Sequence, residues 1–214
     1  MAAEGIGVFL LKMRKALGLK TVDAYTLNRL YVMGFKELAD LLGYERAYRR
    51  LFEWGYAMGH SYLMRMETQL ERFSVRVSDV RFLARAAWLQ FSGSDPQVEV
   101  EERPAVGGSY IVIRLVDRTS PWAEGVEAGR MICAYPVGAY EGASNTFAIL
   151  KGREYYCVCR ETACLARGDD RCEFYTVYVP RETPRERVVQ DFPELFEHLD
   201  MGFSEELYRR VFGE

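Results

Sequence analysis

The first half of the chain carries apolar residues at intervals of three and four, which is the period of an α-helix. This pattern predicts four helices, separated by glycine or polar residues, over residues 24–32, 35–42, 44–71 and 77–91. The third is the longest, and we expect its apolar stripe to be buried: Ala47, Leu51, Trp54, Met58, Tyr62 and Met66. Gly55 and Gly59 lie inside this helix. Because glycine costs a helix roughly 1 kcal/mol relative to alanine, their presence indicates close approach by another helix.

The second half of the chain changes to shorter, strand-like patterns. Val98 and Val100 alternate with glutamates, and a β-branched run over residues 110–116 follows a turn, so the two segments predict a hairpin. A helix is predicted over residues 127–150, with a break near Pro136. Residues 157–179 predict two short strands joined by a polar turn, and residues 181–187 predict a charged linker. Two short amphipathic helices are predicted over residues 192–199 and 203–212.

These elements predict an α+β fold in which a helical N-terminal part and a small antiparallel sheet pack together. We expect an N-terminal helical arm over residues 1–33 that contributes to dimerisation, a central domain over residues 34–180, and a C-terminal linker with helices over residues 181–214. A length of 214 residues is enough for one compact domain with helical extensions.

Composition and charge exclude several classes of protein. The net charge of −3, with arginines interspersed among acidic residues, argues against nucleic acid as a direct partner. No run of eighteen apolar residues is present, so no membrane span is predicted, and the N-terminus does not resemble a signal peptide. We therefore expect a cytoplasmic protein. Its five cysteines are an odd number, and a reducing compartment disfavours a disulfide framework.

Four of the five cysteines fall between positions 157 and 172. Zinc prefers four thiolate, imidazole or carboxylate ligands arranged as a tetrahedron. Glu161 and Cys164 can reach one ion from the end of a strand and the turn after it, and the hairpin returns Cys172 beside them. Cys133, the cysteine outside the hairpin, is the predicted fourth ligand. A site closed in this way has a structural role, because no coordination position is left for water.

The cysteines also allow other interpretations. Buried cysteines often behave as small hydrophobic residues with no metal, and the spacing between Cys164 and Cys172 is not typical of zinc fingers. Cys157 and Cys159 face one side of their strand. They are therefore alternative ligands, a redox pair or ordinary core residues.

The stretch from Glu161 to Phe174 resembles the signature of the 4-vinyl-reductase-type domain: E-x-x-C, a small residue, Gly-Asp, then a cysteine that opens an alternating strand. The same domain forms the sensor half of bacterial phenol- and xylene-responsive transcription activators. Residues 138–142 match the helix glycines of this family. Cys133, nine residues before Gly142, stands where the family has its first zinc cysteine.

The N-terminal half carries the resemblance further. Residues 42–47 and 54–59 are similar to the L-G-x-E-R-A and G-Y-x-x-G segments of the sensor family, so the likeness covers residues 34–179 and all four predicted ligands. It implies a structural zinc ion, a homodimer, a hydrophobic cavity and a fold shared with subunits of the TRAPP vesicle-tethering complex. It does not imply phenol recognition, because His60 and His198 lie outside the region of the family's phenol-binding histidine.

Three functions follow from the resemblance. The first is a stand-alone, regulatory domain that senses a small hydrophobic ligand and signals to a protein partner, with these predicted pocket residues: Trp54, Met58, Tyr62, Trp88, Phe91, Trp122 and Tyr140. Each of them could equally be plain core. The second is an adaptor of the TRAPP type. The third, an accessory role in reducing a tetrapyrrole vinyl group, lacks support because no dinucleotide or flavin motif is present, and we do not expect an enzyme.

Overall fold

The computed structural model describes residues 24–65, 67, 77–199 and 201–212. Its helices are α1 (Ala24–Leu42), α2 (Tyr44–Met64), α3 (Val77–Ser92), α4 (Ala134–Leu150), α5 (Arg185–Asp191) and α6 (Ser204–Phe212). Its strands are β1 (Gln97–Ala105), β2 (Gly108–Asp117), β3 (Tyr155–Ala163) and β4 (Cys172–Pro180), and 3₁₀ turns span Leu165–Arg167 and Pro193–Leu195. The predicted α+β class is therefore confirmed. Within the described parts of the chain, no helix is both long and apolar enough to cross a membrane.

The four strands form one antiparallel sheet in the order β1-β2-β4-β3. The two predicted hairpins, β1-β2 and β3-β4, are both present. They join through β2 and β4, where Val112 pairs with Val177 and Leu115 pairs with Phe174. The interior strand β4 is almost entirely buried, and half of the residues of β2 are buried, because helices and turns pack on both faces of the sheet.

The face of the sheet that carries Leu115 and Phe174 packs against helices. α2 and α4 lie side by side there at very short distance. A Cβ atom added to Gly55 would lie 2.1 Å from the carbonyl oxygen of Tyr135, and one added to Gly142 would lie 2.1 Å from that of Tyr56. Since these obstacles are backbone atoms, side chains at these positions would force the helices apart. The predicted close helix contact is confirmed.

The opposite face of the sheet is covered by the C-terminal segment. Val188 of α5, Phe192 and Leu195 are fully buried against Tyr110 and Tyr175. The ring of Phe192 meets that of Tyr110 edge-on at 4.9 Å. Burial of such aromatic and aliphatic side chains is the main favourable term in packing. The C-terminal segment thus completes the hydrophobic core.

Several predicted boundaries differ from those observed. α1 continues through Gly34, whose surroundings within 4 Å are empty, so the glycine there is tolerated without ending the helix. α4 begins at Ala134, and the predicted break near Pro136 is its start. A proline in the first turn costs no hydrogen bond, because those amide groups have no partner inside the helix.

The buried stripe of α2 is rotated from its predicted position. The residues that face the core are Ala47, Tyr48, Leu51, Phe52, Gly55, Tyr56 and Gly59. Because the glycines face α4, Trp54 points about 100° away from Gly55 and is 55% exposed. Met58 and Tyr62 are half-buried, and Met66 lies outside the described residues.

Candidate metal centre

Four buried side chains from separate parts of the chain meet at one point. Cys133 precedes the first turn of α4, Glu161 lies near the end of β3, Cys164 follows that strand, and Cys172 begins β4. One donor atom from each lies within 4.8 Å of the others. The structure therefore brings together all four predicted ligands, although Cys133 precedes its helix instead of lying inside it.

A bulge in β3 explains how Glu161 and Cys164 reach the same side. Successive residues of a regular strand face opposite ways, so two residues three apart would point to opposite faces. In this hairpin, Glu161 pairs with Phe174 and Ala163 pairs with Glu173, so β3 contains one extra residue at this point. One inserted residue restores a common direction for the two donors.

The loop before α4 is attached to the turn of the hairpin by backbone hydrogen bonds. The amides of Ala128 and Gly129 both donate to the carbonyl oxygen of Ala166, over 2.8 and 3.0 Å. Asp169 closes the turn from the other side, since its Oδ2 accepts from the amide of Cys164 over 2.7 Å. These bonds fix the distance between Cys133 and the cysteines of the hairpin.

The distance between two sulfur atoms fits a tetrahedral zinc ion. The Sγ atoms of Cys133 and Cys172 lie 3.9 Å apart. Two thiolates that each bind a tetrahedral zinc at its usual distance stand about 3.8 Å apart. The separation is much longer than a disulfide bond, and all five cysteines are free and buried.

The carboxylate of Glu161 is held by one oxygen only. Its Oε2 accepts hydrogen bonds from the amide of Cys133 over 3.0 Å and from the hydroxyl of Tyr48 over 3.2 Å. Its Oε1 is buried and has no partner in the described part of the chain. An unpartnered buried carboxylate oxygen is costly, and a cation bound by Oε1 and the three sulfurs would remove that cost. The donor set therefore fits a metal ion.

The protonation of the four donors is uneven. Hydrogen bonds from Cys133 and Cys164 lower the pKa of the Cys172 thiol to about 5. Burial raises the pKa values of Cys133 and Glu161 well above their ordinary range. For Cys164, the hydrogen bond with Cys133 lowers the pKa, but the bond with Cys172 and burial outweigh it and raise the pKa. Without a metal ion, Cys172 is thus the first of the three thiols to lose its proton as the pH rises.

Three tyrosines of α1 and α2 surround the centre. Tyr31 donates its hydroxyl to the carbonyl oxygen of Ile132 and accepts from the amide of Tyr135. Tyr44 donates to the carbonyl oxygen of Met131 over 2.9 Å, and Tyr48 contacts Glu161 as described. No local sequence signal marks these tyrosines, because α1 and α2 lie about one hundred positions before the groups that they bind.

Cys157 and Cys159 lie away from the metal centre. Cys159 accepts a hydrogen bond from Thr176 through its sulfur, over 3.1 Å. Burial raises the pKa of both thiols. The backbone of these two residues forms the outer edge of the sheet and binds Glu141 and Asn145 of α4. They are core residues in this structure.

The seven predicted pocket residues do not form a single group. Trp88 and Tyr140 line a narrow apolar gap between the helices and the sheet, whereas Trp122 is fully buried near Tyr31 on the metal side. Trp54 is exposed, Met58 and Tyr62 are half-buried, and the side chain of Phe91 lies outside the described structure.

Comparisons with known proteins agree with the fold. No protein-family model matches the chain, and no curated protein matches it. Among solved structures, the phenol-responsive sensory domain of the transcription activator PoxR with phenol is 17% identical, with a TM-score of 0.48 over 80% of this chain and 81% of that chain. A trafficking protein particle complex subunit 3 from Naegleria fowleri, covalently bound to palmitic acid, is 18% identical, with a TM-score of 0.50 over 76% of this chain and 97% of that chain. The chain therefore has the TRAPP-subunit-like fold that its sequence resemblance implied.

Proposed function

We propose that the protein is a zinc-stabilised domain that binds a small hydrophobic molecule and reports its presence to a protein partner. Its fold is similar to that of a complex subunit that holds a fatty acid. Cys133, Glu161, Cys164 and Cys172 would hold the zinc ion. The observation that carries the metal assignment is the buried, unpartnered Oε1 of Glu161 beside three thiols.

The role proposed for zinc is structural. Two positive charges against three thiolates and one carboxylate leave a net charge of about −2 and fill a tetrahedron. The ion would tie the start of α4 to both strands of the β3-β4 hairpin. Since unfolded chains rarely preserve such a site, metal binding would add directly to the free energy of unfolding.

The hydrophobic ligand is assigned to the gap between α3, α4 and the sheet. The gap has no space for a whole water molecule, and it is lined by Trp88, Leu115, Val137, Tyr140, Cys159, Phe174 and Thr176. Ligand pockets are typically apolar with few polar groups. The Trp88 indole is anchored by its N–H, which donates to Asp117 over 2.8 Å. A ligand would therefore enter by displacing the other lining side chains.

Native mass spectrometry and elemental analysis of the untagged protein test both parts of the proposal, the zinc ion and the hydrophobic ligand. We expect one zinc ion per chain, and retention of an apolar molecule. Thermal shift with a lipid and aromatic library then identifies ligands, because a ligand that binds the folded state raises the melting temperature. Absence of zinc would refute the metal assignment, and absence of any shift would refute the ligand assignment.

A pair of variants locates the ligand. Val137→Phe fills the gap and should abolish the shift. Val158→Phe introduces the same side chain at a buried valine on the opposite face of the sheet. It should destabilise the protein by a similar amount but preserve ligand binding. Equal loss of binding in both variants would contradict the proposed location.

An adaptor role is the second candidate, and exposed apolar residues favour it. Leu30, Met33 and Leu41 of α1 are 62%, 66% and 78% exposed, and Trp54 of α2 is also exposed. Where such side chains form one continuous apolar surface, they typically mark a protein contact. Light scattering should show a homodimer that Met33→Glu and Leu41→Glu dissociate. A monomer at micromolar concentration would count against dimerisation through this surface.

A further inference from the structure

A cleft of about 660 Å³ opens at the junction of α1 and α2, on the side of the molecule next to the metal centre. Its walls come from the α1–α2 junction, from the loop before α4, from the hairpin turn and from the segment after Leu195. The charged and aromatic groups in its lining are Tyr44, Glu45, Arg46, Arg130, Arg167 and His198. This cleft is separate from the apolar gap assigned to the hydrophobic ligand.

The lining has an excess of positive charge in a protein whose net charge is −3. Three arginines face one carboxylate, that of Glu45. Neither Arg46 nor Arg130 forms an ion pair with any residue that the structure describes. The guanidinium of Arg130 lies over the ring of Tyr44, 5.0 Å from its centre. Two guanidinium groups are therefore available to an anion from solvent.

The third arginine is fixed in place. Arg167 donates from Nε and Nη2 to Oδ2 of Asp169, over 2.8 and 2.7 Å, and from Nη2 to the carbonyl oxygen of Thr162 over 3.2 Å. Its Nη1 lies 3.4 Å from Nε2 of His198. Because the side chain is already ordered, an anion that approaches this edge would not have to order it.

The rest of the lining is apolar. Leu42, Met131 and Leu199 lie beside Tyr44 and the charged groups. A site with several cations at its rim and apolar walls fits a molecule that has an anionic head and an apolar body. Guanidinium groups match the geometry of carboxylate and phosphate oxygens.

We propose that this cleft binds a small organic anion, an aromatic or alkyl carboxylate or phosphate, with its head between Arg46 and Arg130 and its body against Tyr44 and Leu199. The proposal is independent of the hydrophobic ligand in the apolar gap. If the arginines served only to offset the charge of the metal centre, no external anion would bind.

Titration with phenylphosphonate and phenylacetate, followed by calorimetry and by amide chemical shifts, tests the proposal. Benzyl alcohol serves as the neutral analogue. We expect at least one of the two anions to bind, with shifts at residues 42–46 and 129–131. Affinity should fall as salt is raised, and benzyl alcohol should cause no shifts at residues 42–46 and 129–131. No shifts at these residues with either anion, or equal shifts there with the alcohol, would overturn the proposal.

Substitution of single arginines tests where the anion binds. Arg46→Gln and Arg130→Gln should each weaken binding about tenfold or more, the effect of losing one charge-assisted hydrogen bond. Arg50→Gln is the matched control, because Arg50 lies one turn further along α2 and pairs with Glu53 at the surface. Zinc content and melting temperature are measured for each variant. An equal loss in Arg50→Gln, or a loss in Val137→Phe, would place the anion elsewhere and refute the assignment.

Discussion

The side-chain amide of Asn145 pairs with both backbone polar groups of Cys157. The amide of Cys157 donates to Oδ1 over 2.7 Å, and Nδ2 donates to the carbonyl oxygen over 3.0 Å. One turn earlier in α4, Glu141 accepts from the amide of Cys159 over 2.7 Å. Helical residues four apart are separated by about 6 Å along the axis, close to the spacing of two strand residues. Two helix side chains thus take the place of a neighbouring strand.

Replacing Asn145 should therefore be costly. Asn145→Leu leaves an amide and a carbonyl group of Cys157 buried without partners, and we expect the free energy of unfolding to fall by about 2–4 kcal/mol. Asn145→Asp keeps an acceptor and should lose less. Urea denaturation measures both. Ile149→Ala, at an exposed position of the same helix, should change stability by less than about 0.5 kcal/mol. A Leu variant as stable as wild type would refute this account of the edge.

The contact between α2 and α4 gives a second prediction. Gly55→Ala places a methyl group against the backbone of Tyr135, and separating the helices should cost about 2–3 kcal/mol. Gly34→Ala is the matched control, because that glycine lies in α1 with nothing within 4 Å. It should stabilise the protein by about 0.5–1 kcal/mol. Chemical denaturation of the two variants should therefore give effects of opposite sign.

The melting temperature is expected to depend on the thiolate of Cys164, one of the four proposed zinc ligands. Cys164→Ser should lose zinc, and the melting temperature should fall by about 10 °C or more, because several kcal/mol of binding energy are lost. Cys157→Ser is the control, since that buried thiol lies outside the cluster. It should retain one zinc ion per chain. Elemental analysis and calorimetry measure both, and full zinc content in Cys164→Ser would contradict the ligand set.

Tyr48 is expected to position Glu161 for the metal. Tyr48→Phe removes one of the two hydrogen bonds to Oε2 and should weaken zinc binding about tenfold, as is usual for groups that orient a ligand. Competition with a chelator measures the affinity, and cobalt substitution reports whether the geometry of the site persists. Tyr44→Phe, which removes a bond to the backbone of Met131, should have a smaller effect. A larger effect of Tyr44→Phe would contradict this role for Tyr48.

Metal affinity should rise with pH. Zinc requires ionised ligands, yet the pKa values of the Cys133 and Cys164 thiols are raised above their ordinary range, so both hold protons near neutral pH. Cys172, with a pKa of about 5, is already ionised. Binding should therefore release about two or more protons per zinc ion at neutral pH. Affinity should fall as acid is added, and fall further below pH 5, where Cys172 is protonated too. Calorimetry in buffers of different ionisation enthalpy measures the proton count, and a count near zero would refute these protonation states.

The sequence carried enough information to predict the class of fold and the four residues that come together at the candidate metal centre. Strand alternation and turn residues are local signals, so both hairpins could be predicted. The E-x-x-C spacing was informative because of its resemblance to a known signature. The bulge that makes this spacing work at Glu161 and Cys164 has no such local signal, because it depends on the register between two strands.

Other features depend on contacts distant in the chain. The rotation of α2 that exposes Trp54 follows from where α4 approaches Gly55 and Gly59. The hydrogen bonds of Tyr31, Tyr44 and Tyr48 and the arginine-lined cleft join parts of the chain that are far apart in sequence. A pattern of period three or four shows that a helix has an apolar face, but it does not show which neighbour covers that face.

Side chains of α4 bind the outer edge of β3, and this limits how the protein can assemble with copies of itself. Exposed sheet edges are where chains add strands and grow into fibrils. In the described sheet, β3 is occupied by side chains of α4, which leaves β1 as the other edge. That strand presents exposed Glu99, Glu101 and Glu102, and Pro104 has no amide to donate. A second β1 would meet like charges and a missing donor, so the sheet resists polymerisation at both ends, and partners are directed to the helical surfaces.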